Sequence, residues 1–318
     1  MRILVIGAGA IGGYFGGRLL QAGRDVTFLV RHGRAAELAA TGLTIKSPKG
    51  DAILRNPPTV LAEELHEPYD LILLSCKAYD LDSAAVSFAP AVGRPTAILP
   101  LLNGMRHLDV LDARFGRDRV LGGECLISAT LDEHRAIVHL SDNHEIAFGE
   151  RDGATSDRVC AIAAAMTGVA FEARASEHIL QEMWEKWVFL AAFASATCLM
   201  RAAIGDIVRA PGGSDIVLGL LDETRRTAEA NGFPPRQAFL ERSQALLTAT
   251  GSPLTASMLR DMERHAPIEA DHIVGDIIGR AGRQDASRTD TPLLRIAYAG
   301  MKAYEARQER TQASRRAA

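Results

Sequence analysis

Residues 2–12 read Arg-Ile-Leu-Val-Ile-Gly-Ala-Gly-Ala-Ile-Gly, and this stretch decides the fold. Ile3–Ile6 is a short apolar run, as expected for the first, fully buried strand of a parallel sheet. It breaks at once into Gly-x-Gly-x-x-Gly, with Gly7, Gly9 and Gly12 in the three places. Gly7 permits the tight turn. Gly9 lets backbone approach a pyrophosphate, and Gly12 lets the next helix lie close on the strand. That helix, read over Ala10–Leu20, presents its free N–H groups and positive dipole end to phosphates. The turn Gly7, Ala8, Gly9, Ala10, Ile11, Gly12 is therefore the expected dinucleotide cradle. A secretory leader is the rival reading of Arg2 plus an apolar run. The glycines that break the run, and the α/β pattern that follows, argue against it.

Working outward, the second strand candidate is Val26–Val30, followed by Arg31-His32-Gly33-Arg34. A cofactor with a free ribose 2′-OH usually meets a carboxylate there. This tip carries none. Arg31, with Arg34 as a second candidate, suits a 2′-phosphate through charge-assisted bonds, which predicts NADPH. Further strands are read at Leu71–Ser75, Ala97–Leu101 and Val120–Gly122, with helical patterns between several of them. This alternation predicts an α/β Rossmann-type domain with a parallel sheet. Ala136–Leu140 and Glu145–Phe148 read as a two-stranded excursion around Ser141-Asp142-Asn143. A helix over Arg158–Met166 and a strand near Val169–Glu172 complete the domain. After Ala175 the pattern is helical. Breaks fall at Pro211-Gly212-Gly213, Gly232-Phe233-Pro234-Pro235 and Gly251-Ser252-Pro253. Residues 1–175 are thus expected to form the cofactor-binding domain and 176–318 an all-α substrate and catalytic domain. The cleft between them is the expected place for a substrate. The tail after Glu305 reads as frayed.

Composition narrows the class. The 318 residues carry a net charge of −3 and 47% hydrophobic residues, which supports two cored domains and gives no sign of a nucleic-acid partner. The four cysteines, at 76, 125, 160 and 198, stand far apart, as expected of reduced thiols in a cytoplasmic protein. The nine histidines form no ligand spacing, so no metal is expected. Trp187–Met200, the longest apolar run, is too short to span a bilayer and reads as a core helix. No membrane partner follows. Oligomeric state stays open, a homodimer included.

Five stretches taken together resemble the ketopantoate reductase (2-dehydropantoate 2-reductase) family. They are Gly7–Gly12, Cys76-Lys77-Ala78-Tyr79-Asp80, Leu102-Asn103-Gly104-Met105, Trp184-Glu185-Lys186 and Ser257-Met258-Leu259-Arg260-Asp261 with Glu269 beyond it. The resemblance implies NADPH-dependent reduction of a small 2-oxo acid, in the type case 2-dehydropantoate to pantoate on the way to coenzyme A. It implies Lys186 as the catalytic lysine, Lys77 and Glu269 beside the cofactor, Asn103 at cofactor or substrate, and Ser257 at the substrate. The chemistry is consistent with these types. Hydride arriving at a carbonyl carbon leaves an alkoxide, which needs charge stabilisation and a proton, and a lysine supplies both. Each residue also has an ordinary reading: solvated lysines, an Asn-Gly turn, a helix-capping serine, a helical acid. The chain departs from the family where two asparagines follow the lysine by four and eight residues. Here Leu190 and Ala194 stand there, on the lysine's own helix face. Two further functions are therefore carried: a reductase of a more apolar 2-oxo acid or ketone, and a non-catalytic NADP(H)-binding sensor.

Overall fold

A computed structural model describes residues 1–282 and 290–317. The chain divides into two compact units, Met1–Asn103 with His107–Leu180, and Gly104–Arg106 with Gln181–Ala318.

The first unit opens with β1 (Arg2–Ile6), α1 (Ala10–Gln21), β2 (Asp25–Leu29), α2 (His32–Thr41), β3 (Leu43–Lys46), β4 (Ala52–Leu54) and β5 (Thr59–Val60). It continues through β6 (Leu71–Leu74), α3 (Leu81–Phe88), β7 (Ala97–Pro100) and α4 (Arg106–Phe115). A five-stranded parallel sheet runs in the order β5-β2-β1-β6-β7. Strands β6 and β7 are apolar throughout, as expected of a parallel sheet covered on both faces. Leu71–Leu74 and Ala97–Pro100 are buried at every position. The chain leaves β1 toward β2 and later returns to β1's other side as β6. Ligands bind beyond the carboxyl ends of strands at such a switch point.

A second sheet is the larger difference from the sequence reading. It contains β3, β4, β8 (Gly122–Leu131), β9 (Ile137–Gly149) and β10 (Glu172–Ala175), with α5 (Asp157–Ala165) before the last strand. The expected excursion around Ser141-Asp142-Asn143 is instead one strand with a bulge. His139 pairs with Ala129 and His144 with Ile127, so residues 140–143 of β9 stand opposite Ser128 alone. The extra residues close on themselves. Ser141 Oγ donates to Asn143 O at 3.0 Å and accepts from the Ser128 amide at 3.1 Å. Polar residues in mid-strand read as a turn, but they are what a bulge needs. The last strand lies at Glu172–Ala175, three residues beyond its expected start.

Helix α1 lies between the two sheets. A Cβ at Gly16 would stand 2.7 Å from the Phe28 ring, and one at Gly17 would stand 2.9 Å from Ile45 Cδ1. Its Tyr14, Phe15 and Leu19 are fully buried. Each such side chain contributes about 1.5–3 kcal/mol of burial.

The second unit contains helices and no strand among its described residues. It comprises α6 (Ile179–Met200, whose first two residues belong to the first unit), α7 (Ile204–Arg209), α8 (Gly213–Ala230), α9 (Gln237–Leu247), α10 (Ser257–Glu263), α11 (Asp276–Ala281) and α12 (Pro292–Ala317). The expected Gly/Pro breaks fall between these helices, with Gly213 opening α8. A π-helical turn, Asp271–Gly275, leads into α11. The segment after Glu305 is helical to Ala317, which corrects the frayed-tail expectation. The buried Glu223 carboxylate anchors the start of α12, accepting from the Leu293 and Leu294 amides at 2.9 Å each. Two of the orphan donors of a helix N-terminus are satisfied this way.

Candidate functional site

In the first unit the candidate residues converge at the carboxyl end of the parallel sheet. β2, β1, β6 and β7 are adjacent and parallel, with Leu29, Ile6, Leu74 and Pro100 in register. The glycine turn follows β1, Arg31 follows β2, Lys77 follows β6 and Asn103 follows β7. Four stretches far apart in sequence are thus brought to four neighbouring strand ends.

The glycine turn has the shape the motif demands. Gly7 has φ of +87° and donates its amide to Leu29 O at 2.9 Å, so the chain bends sharply off β1. Gly9 is the N-cap of α1. A Cβ on Gly7 or Gly9 would meet open space, whereas one on Gly12 would stand 2.2 Å from Ser75 Oγ and 2.4 Å from Gly7 O. Ser75 itself ties the ends of β6 and β1 together, donating to Ile6 O at 3.0 Å. The open side, bare backbone and helix N-terminus fit a pyrophosphate. The closed side explains why the third glycine is required.

The two arginines after β2 are separated by their surroundings. Arg31 caps α2 and is 80% exposed, with Nη2 2.8 Å from Asp80 Oδ1. Arg34 is turned inward and only 12% exposed. Its Nε and Nη2 both donate to Ala8 O, at 3.2 and 3.1 Å, and Nη1 reaches Glu37 Oε2 at 2.9 Å. The Arg34 hydrogen bond, with Arg135 beside it, holds the Glu37 carboxyl below the ordinary glutamate range. Arg34 therefore does not present itself as a second phosphate receptor. Lys77 and Asn103 are both half-buried.

In the second unit Lys186 is half-buried on α6, on a turn whose neighbouring side chains are held by several partners. Trp184 stacks on Phe233 with centroids 5.5 Å apart and meets Trp187 at 5.0 Å. The Arg280 guanidinium lies 5.9 and 5.7 Å from the two indole rings and pairs with Asp276 at 2.9 Å. Trp187, fully buried, donates its indole N–H to Ile273 O at 2.9 Å. That carbonyl lies within the π-helical turn, where the widened ladder leaves carbonyls in need of partners. Glu185 is 3% exposed and accepts from both the amide and Nε of Arg236 at 2.8 Å. Burial alone would push its carboxyl up, but the Arg236 bonds more than offset this and hold it below the ordinary glutamate range.

Ser257 is exposed as the first residue of α10, and the capping position belongs to Ala256. Glu269 is half-buried and accepts at its backbone oxygen from the Ile273 amide at 3.0 Å, starting the helix that becomes the π turn. Trp187 thereby links the lysine's helix to the segment that begins at Glu269. One and two turns beyond Lys186, Leu190 is half-buried and Ala194 buried, and Phe189 stacks on Phe193 at 5.4 Å. Asp80, Ser75, Arg236 and Ile273 were not singled out by sequence. Asp80 lies within a quoted motif, while the partners of the Lys186 turn carry no local signal. No disulfide joins the four cysteines, and among the described residues no group of His, Cys, Asp and Glu could hold a metal. No helix of the described residues is long and apolar enough to cross a membrane.

Comparison with known proteins gives the same picture. Residues 3–153 match the family model of ketopantoate reductase PanE/ApbA, and residues 178–305 match that of its C-terminal domain. An uncharacterised oxidoreductase of Bacillus subtilis, YkpB, is 38% identical over 96% of this chain and 99% of its own. A 2-dehydropantoate 2-reductase of Halobacterium salinarum is 28% identical over 93% and 99%. The crystal structure of 2-dehydropantoate 2-reductase from Geobacter metallireducens superposes with a TM-score of 0.85 at 26% identity, covering 95% of this chain and 99% of that one. The chain belongs to the ketopantoate reductase family, and it is an NADP-dependent oxidoreductase with that family's Rossmann-type and helical domains.

Proposed function

We propose that this protein reduces a 2-oxo acid with NADPH, with 2-dehydropantoate as the first candidate substrate and pantoate as its product. The observation that carries the reading is a backbone-lined glycine cradle in the first unit together with a half-buried lysine in the second, on a turn that Phe233, Arg236 and Ile273 hold. Bound nicotinamide supplies the hydride. Lys186 stabilises the developing alkoxide and donates its proton to that oxygen. Glu185, next to it in sequence, is committed to Arg236 and so does not serve as the acid. The glycine turn and α1 hold the pyrophosphate, Arg31 takes the 2′-phosphate, and Lys77, Asn103 and Glu269 orient the cofactor. Ser257 and Asn103 donate hydrogen bonds to the substrate.

A second reading has its own observation. Leu190 and Ala194 give the lysine's helix face no hydrogen-bonding group one or two turns on. A substrate hydroxyl placed there would lose its partners, at about 0.5–1.5 kcal/mol for each neutral bond. This favours a branched or aromatic 2-oxo acid over a hydroxylated one. NADPH oxidation against a panel of 2-oxo acids separates the two. Higher kcat/KM on 2-dehydropantoate supports the first reading, and higher kcat/KM on apolar acids the second. The paired change Leu190→Asn with Ala194→Asn should then shift the preference toward the hydroxylated substrate several-fold. Tight NADPH binding without turnover on any oxo acid would replace both readings with a sensor.

A further inference from the structure

The inward arginine of α2 does something the outward one does not. Arg34 spends three guanidinium nitrogens on two acceptors. Nε and Nη2 fork onto the single carbonyl of Ala8, and Nη1 is anchored by Glu37, which Arg135 also holds at 2.7 Å. Ala8 is the residue between the first two glycines of the cradle. A peptide group is planar and trans, so the Ala8 C=O and the Gly9 N–H point in opposite directions across one rigid plane. Pinning the carbonyl toward α2 therefore aims the Gly9 N–H the other way. A flip of this plane turns ψ of Ala8 and φ of Gly9, and Gly9, with no Cβ, leaves its φ free to change. A flipped plane would face a carbonyl oxygen to the phosphates and repel them.

We propose that Arg34 is a positioning residue for the pyrophosphate: it locks the Ala8–Gly9 peptide so that the cradle offers an N–H rather than a C=O, while Arg31 alone reads the 2′-phosphate. The planar fork is what the task needs. A lysine could reach the Ala8 oxygen but could not also hold Glu37 in the same plane.

The test rests on NADP-type cofactor binding, not on any oxo-acid activity, so it can fail while the proposed reaction stands. Dissociation constants are measured by titration for three ligands: NADPH, NADH and adenosine 2′-monophosphate, which has the 2′-phosphate but no pyrophosphate. Arg34→Ala should weaken NADPH and NADH alike, by about tenfold, and leave adenosine 2′-monophosphate within twofold. Arg34→Lys should show the same pattern at smaller size. Arg31→Ala should do the reverse, weakening NADPH and adenosine 2′-monophosphate and sparing NADH. Loss of NADPH and adenosine 2′-monophosphate with NADH spared in Arg34→Ala would make Arg34 a 2′-phosphate ligand and overturn the proposal. Unchanged affinity for all three, or equal loss of all three, would overturn it as well. If thermal melting shows Arg34→Ala unfolded, the decision passes to Arg34→Lys on the same criteria.

Discussion

The glycine cradle and the Lys186 turn are built from different materials. The cradle is made of backbone: a φ of +87° at Gly7, open space over Gly7 and Gly9, and no room for a Cβ at Gly12. The Lys186 turn is held by groups that arrive from elsewhere, the side chains of Phe233, Arg236 and Arg280 and the carbonyl of Ile273. A backbone site is encoded where it stands, because only certain residues permit the path. A side-chain site is encoded wherever its partners happen to lie. The two should also fail differently when altered.

The largest effect should come from the lysine. Lys186→Ala is expected to lower kcat on the best oxo acid by about two to four powers of ten, the usual worth of general acid catalysis. The NADPH dissociation constant should stay within about twofold, since the role proposed for this lysine is at the carbonyl. Steady-state kinetics with a parallel binding titration measure both. Undiminished kcat would remove Lys186 from the reaction.

Gly12→Ala should fail in the opposite sense. The new methyl would lie 2.2 Å from Ser75 Oγ, which can turn away, and 2.4 Å from Gly7 O, which cannot move without opening the turn. Overpacking of this kind costs about 1–3 kcal/mol. Here the yielding part is the cradle, so NADPH affinity should fall about ten- to a hundredfold. Any residual kcat at saturating cofactor should be far less affected. A variant that binds NADPH normally would show that the turn is softer than its geometry implies.

The same contrast explains what the sequence made legible. The parallel sheet was readable because its strands are uniformly apolar and its turn carries a backbone signature. Arg31, Lys77 and Asn103 could be placed together because each directly follows such a strand. The second sheet was not readable. β8 and β9 are half-buried and polar in places, and the bulge at residues 140–143 imitates a turn. Arg34 could be ranked below Arg31 but its inward turn could not be read, since both stand at the start of one helix and the approach to Ala8 is made by the fold. The tethers of Lys186 were invisible for the same reason: Glu185 and Arg236 are 51 residues apart, and Trp187 and Ile273 are 86 apart.

The smallest effect tests one of those tethers through pH. Arg236 is 56% exposed on its side chain, while Glu185 is nearly buried. Removing a partner from a fully buried pair costs about 3–5 kcal/mol, and solvent access to the arginine reduces that, so Arg236→Ala should cost about 2 kcal/mol at neutral pH. The sign with pH follows from the carboxyl. In the native protein Glu185 titrates below the ordinary 4.5 because the Arg236 bonds outweigh its burial. Its contribution is therefore full above about pH 4.5 and is lost as pH falls through the lower, folded value. In Arg236→Ala burial acts with much less opposition, and the carboxyl should titrate above its native position. The deficit in Tm between variant and native protein should then be widest near pH 7 and narrow steadily toward pH 4, as the stranded carboxylate takes up a proton. Thermal melts across that range measure it. A deficit independent of pH would mean that Arg236 holds this turn by packing its side chain rather than by its charge.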